Sequence, residues 1–257
     1  MFKCDIIALE KAISELKIPK NSTIIIHSSL FKFGLIEGGA GTIYNLLKKL
    51  FDETYTLVMP TFTFSYSSSR EWNSNNTKSE TGVLTEFMRK LENTSRSINP
   101  FHSVCIEGPN KDYLLNSISD SSFGTNSVFE KLYKLNAYNL SIGSEFEGGA
   151  TFCHYVEELL QVPYRFYKSF PGKVFDKNEV KIELDFRMYV RIIEKDHFYD
   201  NQWESFWQDA LKNNLVNYFK FNNKSPIFLM NIKDTHDFLA EKISKNPFYI
   251  AKKVKIN

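Results

Sequence analysis

Thr151, His154 and Glu157 recur at three-residue intervals in a stretch whose residue types suit proton transfer. The stretch runs Leu140-Ser141-Ile142-Gly143, then Glu147-Gly148-Gly149-Ala150, then Thr151-Phe152-Cys153-His154-Tyr155-Val156-Glu157-Glu158. It reads as a short buried strand, a glycine turn and the start of a helix, with Thr151 as the N-cap. The spacing sets the three side chains on one side of that helix. The positive end of the helix dipole disfavours imidazolium, so the His154 ring is expected to be neutral near pH 7, the state a general base requires. A core histidine bonded to a backbone carbonyl fits the same spacing, and the residues alone leave both readings open.

The elements that must position these residues alternate along the chain. Apolar residues from Ile6 to Leu16 follow a helical period that Pro19 ends, and Ser22 to Ile26 is a β-branched run suited to a buried strand. That strand delivers His27-Ser28-Ser29-Leu30 to its end, where open α/β sheets keep ligand crevices. Gly34 and Gly38-Gly39-Ala40-Gly41 follow, with Thr42 as the cap of a helix to about Leu50. The glycine run lacks the Lys-Ser/Thr ending of a P-loop and reads as a turn, with contact to a pyrophosphate left open. Further strands are expected at Tyr55–Met59, Ser103–Ile106 and Tyr138–Ile142, and helices at Val83–Leu91, Lys111–Ile118 and Val128–Leu135. Phe64 to Asn76 reads as a long loop of the kind that forms binding lids. Beyond Pro163, Val180–Phe186 and Arg187–Ile193 suggest a hairpin. Asp200–Phe219 and Thr235–Ile243 suggest helices, and Ile227–Ile232 a strand between them. The fold class is α/β: a largely parallel central sheet flanked by helices, with an α+β C-terminal elaboration. One domain spans residues 1–257, its core about 1–167 and an acceptor-side elaboration about 168–257.

With 42% hydrophobic and 24% charged residues the chain is globular rather than disordered. A net charge of +2 gives no argument for nucleic acid. Cys4, Cys105 and Cys153 are odd in number, lack metal spacing and fit a reducing compartment. The first residues do not read as a signal peptide, and no stretch approaches the ~18 apolar residues of a membrane span. A cytoplasmic location, no membrane and no metal are expected.

Six phrases then stand in a familiar order: His27-Ser28-Ser29-Leu30 with Gly34; Leu57-Val58-Met59-Pro60-Thr61-Phe62-Thr63; Ser79-Glu80-Thr81-Gly82; Arg96-Ser97 with Pro100-Phe101-His102-Ser103-Val104; Phe123-Gly124-Thr125-Asn126-Ser127; and Thr151-Phe152-Cys153-His154 with Glu157. Together they resemble the aminoglycoside 3-N-acetyltransferase family, whose members move an acyl group from coenzyme A to an amine. The likeness covers roughly Ile24 to Tyr167 and fades after about Lys177. It implies acetyl-CoA or another acyl-CoA as co-substrate and His154 as the catalytic base. It implies an acyl-CoA groove at Ser28, Ser29, Leu30, Phe33, Gly34, Thr61 and Phe62, with Arg96, Ser97, Ser103 and Val104 also at the cofactor. Where the family usually has His-Pro, this chain has Asn99-Pro100, which puts that histidine's role in doubt here.

The chemistry expected is direct attack. A protonated amine has no lone pair, so a base must first take its proton. Ser28, Thr61 and Thr151 are candidates to meet the charge that develops on the thioester oxygen. Glu157 or Glu86 is expected to orient the ring, and Cys153, next to His154 but about 100° around the helix, to be inert. The balance of charges after Pro163 favours an amino sugar carried on a nucleotide, such as a 3-amino deoxysugar for surface polysaccharide or O-antigen. The alternative is an aminoglycoside, acetylated in antibiotic resistance. A non-enzymatic binding module would leave the ordered phrases without a purpose. His27 and His102 stand at strand ends near the groove, whereas His197 and His236 are expected at the surface. A homo-oligomer is possible from the sequence.

Overall fold

Three successive isoleucines define the central strand of the computed structural model, which describes residues 3–256. Ile24 and Ile26 point into one apolar cluster and Ile25 into another, so the strand is covered on both faces. The first half comprises α1 (Ile6–Ser14), β1 (Thr23–Ser28), α2 (Gly39–Leu50), β2 (Thr56–Pro60), α3 (Tyr66–Ser69), β3 (Glu71–Asn73), α4 (Val83–Arg89), β4 (Ser95–Arg96), β5 (Val104–Glu107), α5 (Lys111–Leu115) and α6 (Val128–Lys134). Then come β6 (Tyr138–Ile142), α7 (Phe146–Gly149), α8 (Cys153–Leu159), β7 (Arg165–Ser169), β8 (Lys173–Phe175), β9 (Arg187–Arg191), β10 (His197–Asn201), α9 (Trp203–Lys212), β11 (Val216–Phe221), β12 (Ser225–Asn231), α10 (Ile232–Lys245) and β13 (Ala251–Lys255).

The main sheet has the order β11-β12-β6-β1-β2-β5-β4. Its centre is parallel, β1 pairing with β2 and β6, and the flanks are antiparallel. The parallel part is therefore narrower than the alternating pattern implies, because β4 and β5 return as neighbours without a crossover helix. Two strands of the C-terminal elaboration, β11 and β12, complete the same sheet.

Four local expectations give way to packing. Thr42 lies inside α2 rather than capping it; Gly38 is the cap residue, and the Thr42 hydroxyl donates to the Glu37 carbonyl. Phe64–Asn76 is not an open lid: Tyr66 and Trp72 are buried, and β3 pairs with β8. Val180–Phe186 forms no ladder strand despite its alternation, and β9 pairs with β7 instead. The helix read over Asp200–Phe219 stops at Lys212; Asn214 takes a positive φ of 55° and β11 begins two residues later.

The layers converge on the C-terminal ends of the three parallel strands. Gly149 lets α7 lie against the sheet, since a β-carbon there would come within 2.6 Å of the Phe228 ring and 2.8 Å of the Ser141 hydroxyl. Gly143 turns the chain out of β6 with a φ of +80°. No helix among the described residues is long and apolar enough to cross a membrane.

Candidate active site

Helix α8 begins one turn after α7, and His154 in its first turn lines a cleft. The N-cap is Phe152 and no side chain caps the helix; Thr151 contributes its carbonyl, to the His154 amide at 3.1 Å, and faces the cleft. His154 keeps 27% of its side chain exposed, while Glu157 below it is fully buried. Their three-residue spacing closes a contact of 2.5 Å between His154 Nδ1 and Glu157 Oε2. The Tyr164 hydroxyl donates to Glu157 Oε1 at 2.8 Å, and Arg165 Nε lies 3.0 Å from the same oxygen. Burial alone would raise the Glu157 carboxyl, but His154, Arg165 and Tyr164 outweigh it and hold it down to about 2. An ionised Glu157 accepts the Nδ1 proton, which leaves the lone pair of the neutral ring on Nε2. Glu86 has no part in this: its carboxylate takes Arg89 at 2.7 Å and the Ser79 amide at 2.9 Å.

His154 opens into a cleft of about 370 Å³ lined by His27, Ser28, Pro60, Phe62, Phe64, His102, Gly148 and Thr151 among others. A larger groove of about 730 Å³ reaches His102 from the other side, past Arg89, Lys90, Arg96, Ser97 and Lys177. On the opposite flank a cavity of about 420 Å³ holds Glu145, Glu147, Glu204, Trp203, Trp207, Tyr218 and Lys252. His102 is common to the first two spaces, and Glu147 to the cleft and the acidic cavity.

Among the residues expected at the cofactor, Ser28 and Phe62 line the cleft and Arg96 and Ser97 line the groove. Leu30, Phe33, Thr61, Ser103 and Val104 are instead buried behind it. The Thr61 hydroxyl donates to the Ser103 carbonyl at 3.0 Å, so it is not free to meet an oxyanion. Arg96 is a strut: it donates to the Thr61 carbonyl at 2.7 Å and to Ser103 Oγ at 3.0 Å, over the Trp72 ring at 4.7 Å. Ser97 Oγ accepts from the Val104 amide, and Ser29 and Gly34 shape the turn after β1. Asn99, where relatives usually have histidine, accepts from the amides of Phe101 and His102 at 3.0 and 2.7 Å and so fixes the turn that presents His102.

Sequence reasoning assigned no site role to Arg165, Glu147 or Asn201. Tyr164 and Arg165 follow a helix end and a chain reversal, where no local period predicts a facing residue. His197 and His236 are buried, against expectation: α10 packs on α6 and α8, which puts His236 against the rings of Tyr133 and Tyr155 at 4.2 and 5.2 Å. Cys153 is wholly buried, and its thiol is pushed well up by burial and then by the Glu157 charge. Cys153→Ala is therefore expected to keep full turnover; a loss beyond tenfold, measured as thiol release, would restore a covalent route.

Burial also lowers the His27 ring to about 4, and burial with the neighbouring His154 lowers His102 to about 3. Unfolded histidine takes its proton near ~6.5. Between that value and the folded ones the unfolded chain binds more protons, so stability is present above about pH 6.5 and is lost on acidification. The expected loss from pH 7 to 5 is on the order of 1–2 kcal/mol per ring. Thermal unfolding of His102→Gln over this range should show a shallower slope than the unaltered protein, and an equal slope would refute the assignment.

A glutamate-held histidine at the strand ends of an α/β sheet, with a long groove leading to it, suits transfer of an acyl group from a carrier thioester. The class is that of the acyl-CoA-dependent transferases. Residues 25–244 match the sequence profile of the aminoglycoside 3-N-acetyltransferase family, and the chain belongs to that family. It is 27% identical over 181 residues to the SPbeta prophage-derived aminoglycoside N(3')-acetyltransferase-like protein YokD of Bacillus subtilis (strain 168). That match covers 62% of this chain and 65% of the relative, just under two thirds of the relative's length. The fold is shared with AAC-IIIb, described as a binary complex with CoASH, at a TM-score of 0.79 and 16% identity, covering 95% of this chain and 97% of that one. It is shared with AAC-VIa bound to sisomicin at a TM-score of 0.77 and 15% identity, covering 95% and 98%.

Proposed function

We propose that this protein acetylates an amine of a polycationic amino sugar of the aminoglycoside kind, using acetyl-CoA, with His154 as general base. The observation that carries the acceptor is the cavity beside His154, lined by Glu147, Glu204 and Glu145 (itself 3.5 Å from the Lys32 ammonium) with Lys252, Trp203, Trp207 and Tyr218. Carboxylates attract ammonium groups and flat rings stack on sugar faces, whereas a nucleotide diphosphate would be repelled. The nucleotide-linked acceptor expected from the balanced charge after Pro163 is therefore disfavoured. Two of the three glutamates precede Pro163, and Asp176 and Lys177 line the groove on the other side. Sisomicin bound to a protein of the same fold agrees with this choice.

In this reading the nucleotide part of the donor lies in the larger groove, with Lys90 and Lys177 along it for the phosphates. The thioester arm passes His102 into the cleft. His154 Nε2 takes the ammonium proton, and the freed lone pair attacks the thioester carbonyl. The tetrahedral oxyanion meets Ser28 and Thr151, which line the cleft with free hydroxyls, and it collapses with expulsion of the coenzyme A thiolate, which takes the second proton shed by the nitrogen and leaves as the thiol.

The test is thiol release from acetyl-CoA with sisomicin and with a uridine-diphosphate-linked amino sugar as acceptors. Turnover is expected with the former only. Glu204→Gln should raise the sisomicin KM about fivefold, the worth of one partly exposed ion pair, with the acetyl-CoA KM unchanged. Turnover confined to the nucleotide-linked sugar would overturn the acceptor assignment.

A further inference from the structure

We propose that Arg165 is a positioning residue for the transfer, one guanidinium that ties the base pair to the wall of the acceptor cavity. The inference rests on the reading of His154 as base. Arg165 opens β7, and its side chain is only 9% exposed. Its Nε lies 3.0 Å from Glu157 Oε1, close enough for an ion pair though not aligned as a hydrogen bond. Its Nη2 donates to Asn201 Oδ1 at 3.1 Å and stands 3.5 Å from His154 Nδ1. Its Nη1 donates to the Tyr189 carbonyl at 3.2 Å, which pins the fork to β9. Asn201 ends β10 and lines the cavity beside Trp203. One planar group thus touches the orienting carboxylate, the catalytic ring and an acceptor-side amide.

The physical need for it follows from the pair itself. An ionised carboxylate 2.5 Å from an imidazole favours the protonated ring, and a protonated ring cannot act as a base. A second positive charge beside the carboxylate offsets that pull. The other titratable groups facing this region are Tyr164, whose hydroxyl bonds Glu157, Cys153 beside the ring on α8, Glu147 from α7, His27 at the end of β1 and His102 before β5. Among these and Glu157, Arg165 is the one permanent cation in contact with the pair. Lysine would keep the charge but not the fork, so it would lose the bond to Asn201 or the approach to Glu157.

Two variants separate this role from simple bracing of β7 on β9. In Arg165→Gln the acidic limb of kcat/KM against pH should move up, and kcat at pH 7 should fall about threefold and recover at higher pH. The NMR titration of the His154 ring, recorded without substrates, should move the same way. In Arg165→Lys the ring titration should stay within a few tenths of a unit of the unaltered protein, while the sisomicin KM rises about fivefold and the acetyl-CoA KM does not. An unshifted ring in folded Arg165→Gln, or an unchanged sisomicin KM in Arg165→Lys, would overturn the proposal. Arg165→Lys retains the buried charge balance and so decides the matter if Arg165→Gln does not fold. Failure of the base assignment is a separate result, visible as full turnover in His154→Ala.

Discussion

His154→Ala should lower turnover by about 10²–10⁴-fold and leave acetyl-CoA affinity within about twofold, the span for losing a positioned base. The ring is the one partly exposed member of the pair, at 27%, and it opens on the cleft that the groove and the acidic cavity share. Its deletion removes neither the groove that runs from Lys90 to Ser127 nor the carboxylates of the acidic cavity. The loss should therefore fall on kcat and not on binding. Residual rate should remain, because aligning the amine with the thioester supplies acceleration of its own. His154→Gln fills the same space without a proton acceptor of suitable basicity and should match the alanine variant. Calorimetric titration with coenzyme A and thiol release under saturating substrates together check both halves. A variant that keeps more than half its activity would refute the assignment of the base, and one that no longer binds coenzyme A would make His154 a binding residue.

What the sequence revealed of this site was what lies close in the chain. The contact of His154 with Glu157 is a helix neighbour relation, so the spacing alone gives it once the helix is recognised. The isoleucine run of β1 was legible because both of its faces are buried and no polar residue interrupts Ile24 to Ile26. Thr151 misled because a threonine before a helix is usually a cap, but the turn at Ala150 leads into Phe152 in a helical conformation, so its hydroxyl has no orphan amide to meet. The acidic cavity was not legible as a set of carboxylates. It joins Glu145 and Glu147, which precede α8, to Glu204 and the tryptophans of α9, and only the pairing of β12 with β6 brings those segments together. Val180–Phe186 shows the converse: a perfect alternation that makes only an isolated bridge, Lys181 with Phe175 of β8, and no ladder. Arg165 escaped notice for the same reason as the cavity, because its partners lie 8, 11 and 36 residues away on two different elements.

Glu157→Ala is the second large effect expected, and it falls on stability as well as on rate. The carboxylate is fully buried and satisfies three groups: the His154 ring, the Tyr164 hydroxyl and the Arg165 guanidinium. Its removal leaves a buried cation unpaired, which costs about 3–5 kcal/mol. For a chain of this size that is on the order of 10 °C in the unfolding midpoint. The sign with pH follows from the lowered carboxyl. A depressed acid contributes its stability above its unfolded value of about 4.3 and loses it as the pH falls towards the folded one, about 2. The gap between the unaltered protein and Glu157→Ala should therefore still be present at pH 5 and close only below it. Turnover should fall at least tenfold, since Nδ1 no longer has the acceptor that keeps the lone pair on Nε2. The two losses have different origins and can be parted. Glu157→Ala combined with Arg165→Met leaves no buried charge, so it should regain at least half of the lost stability while turnover stays low. If the double variant were less stable than Glu157→Ala alone, Arg165 would be stabilising by its packing and not by its charge, and the electrostatic account of the pair would fail.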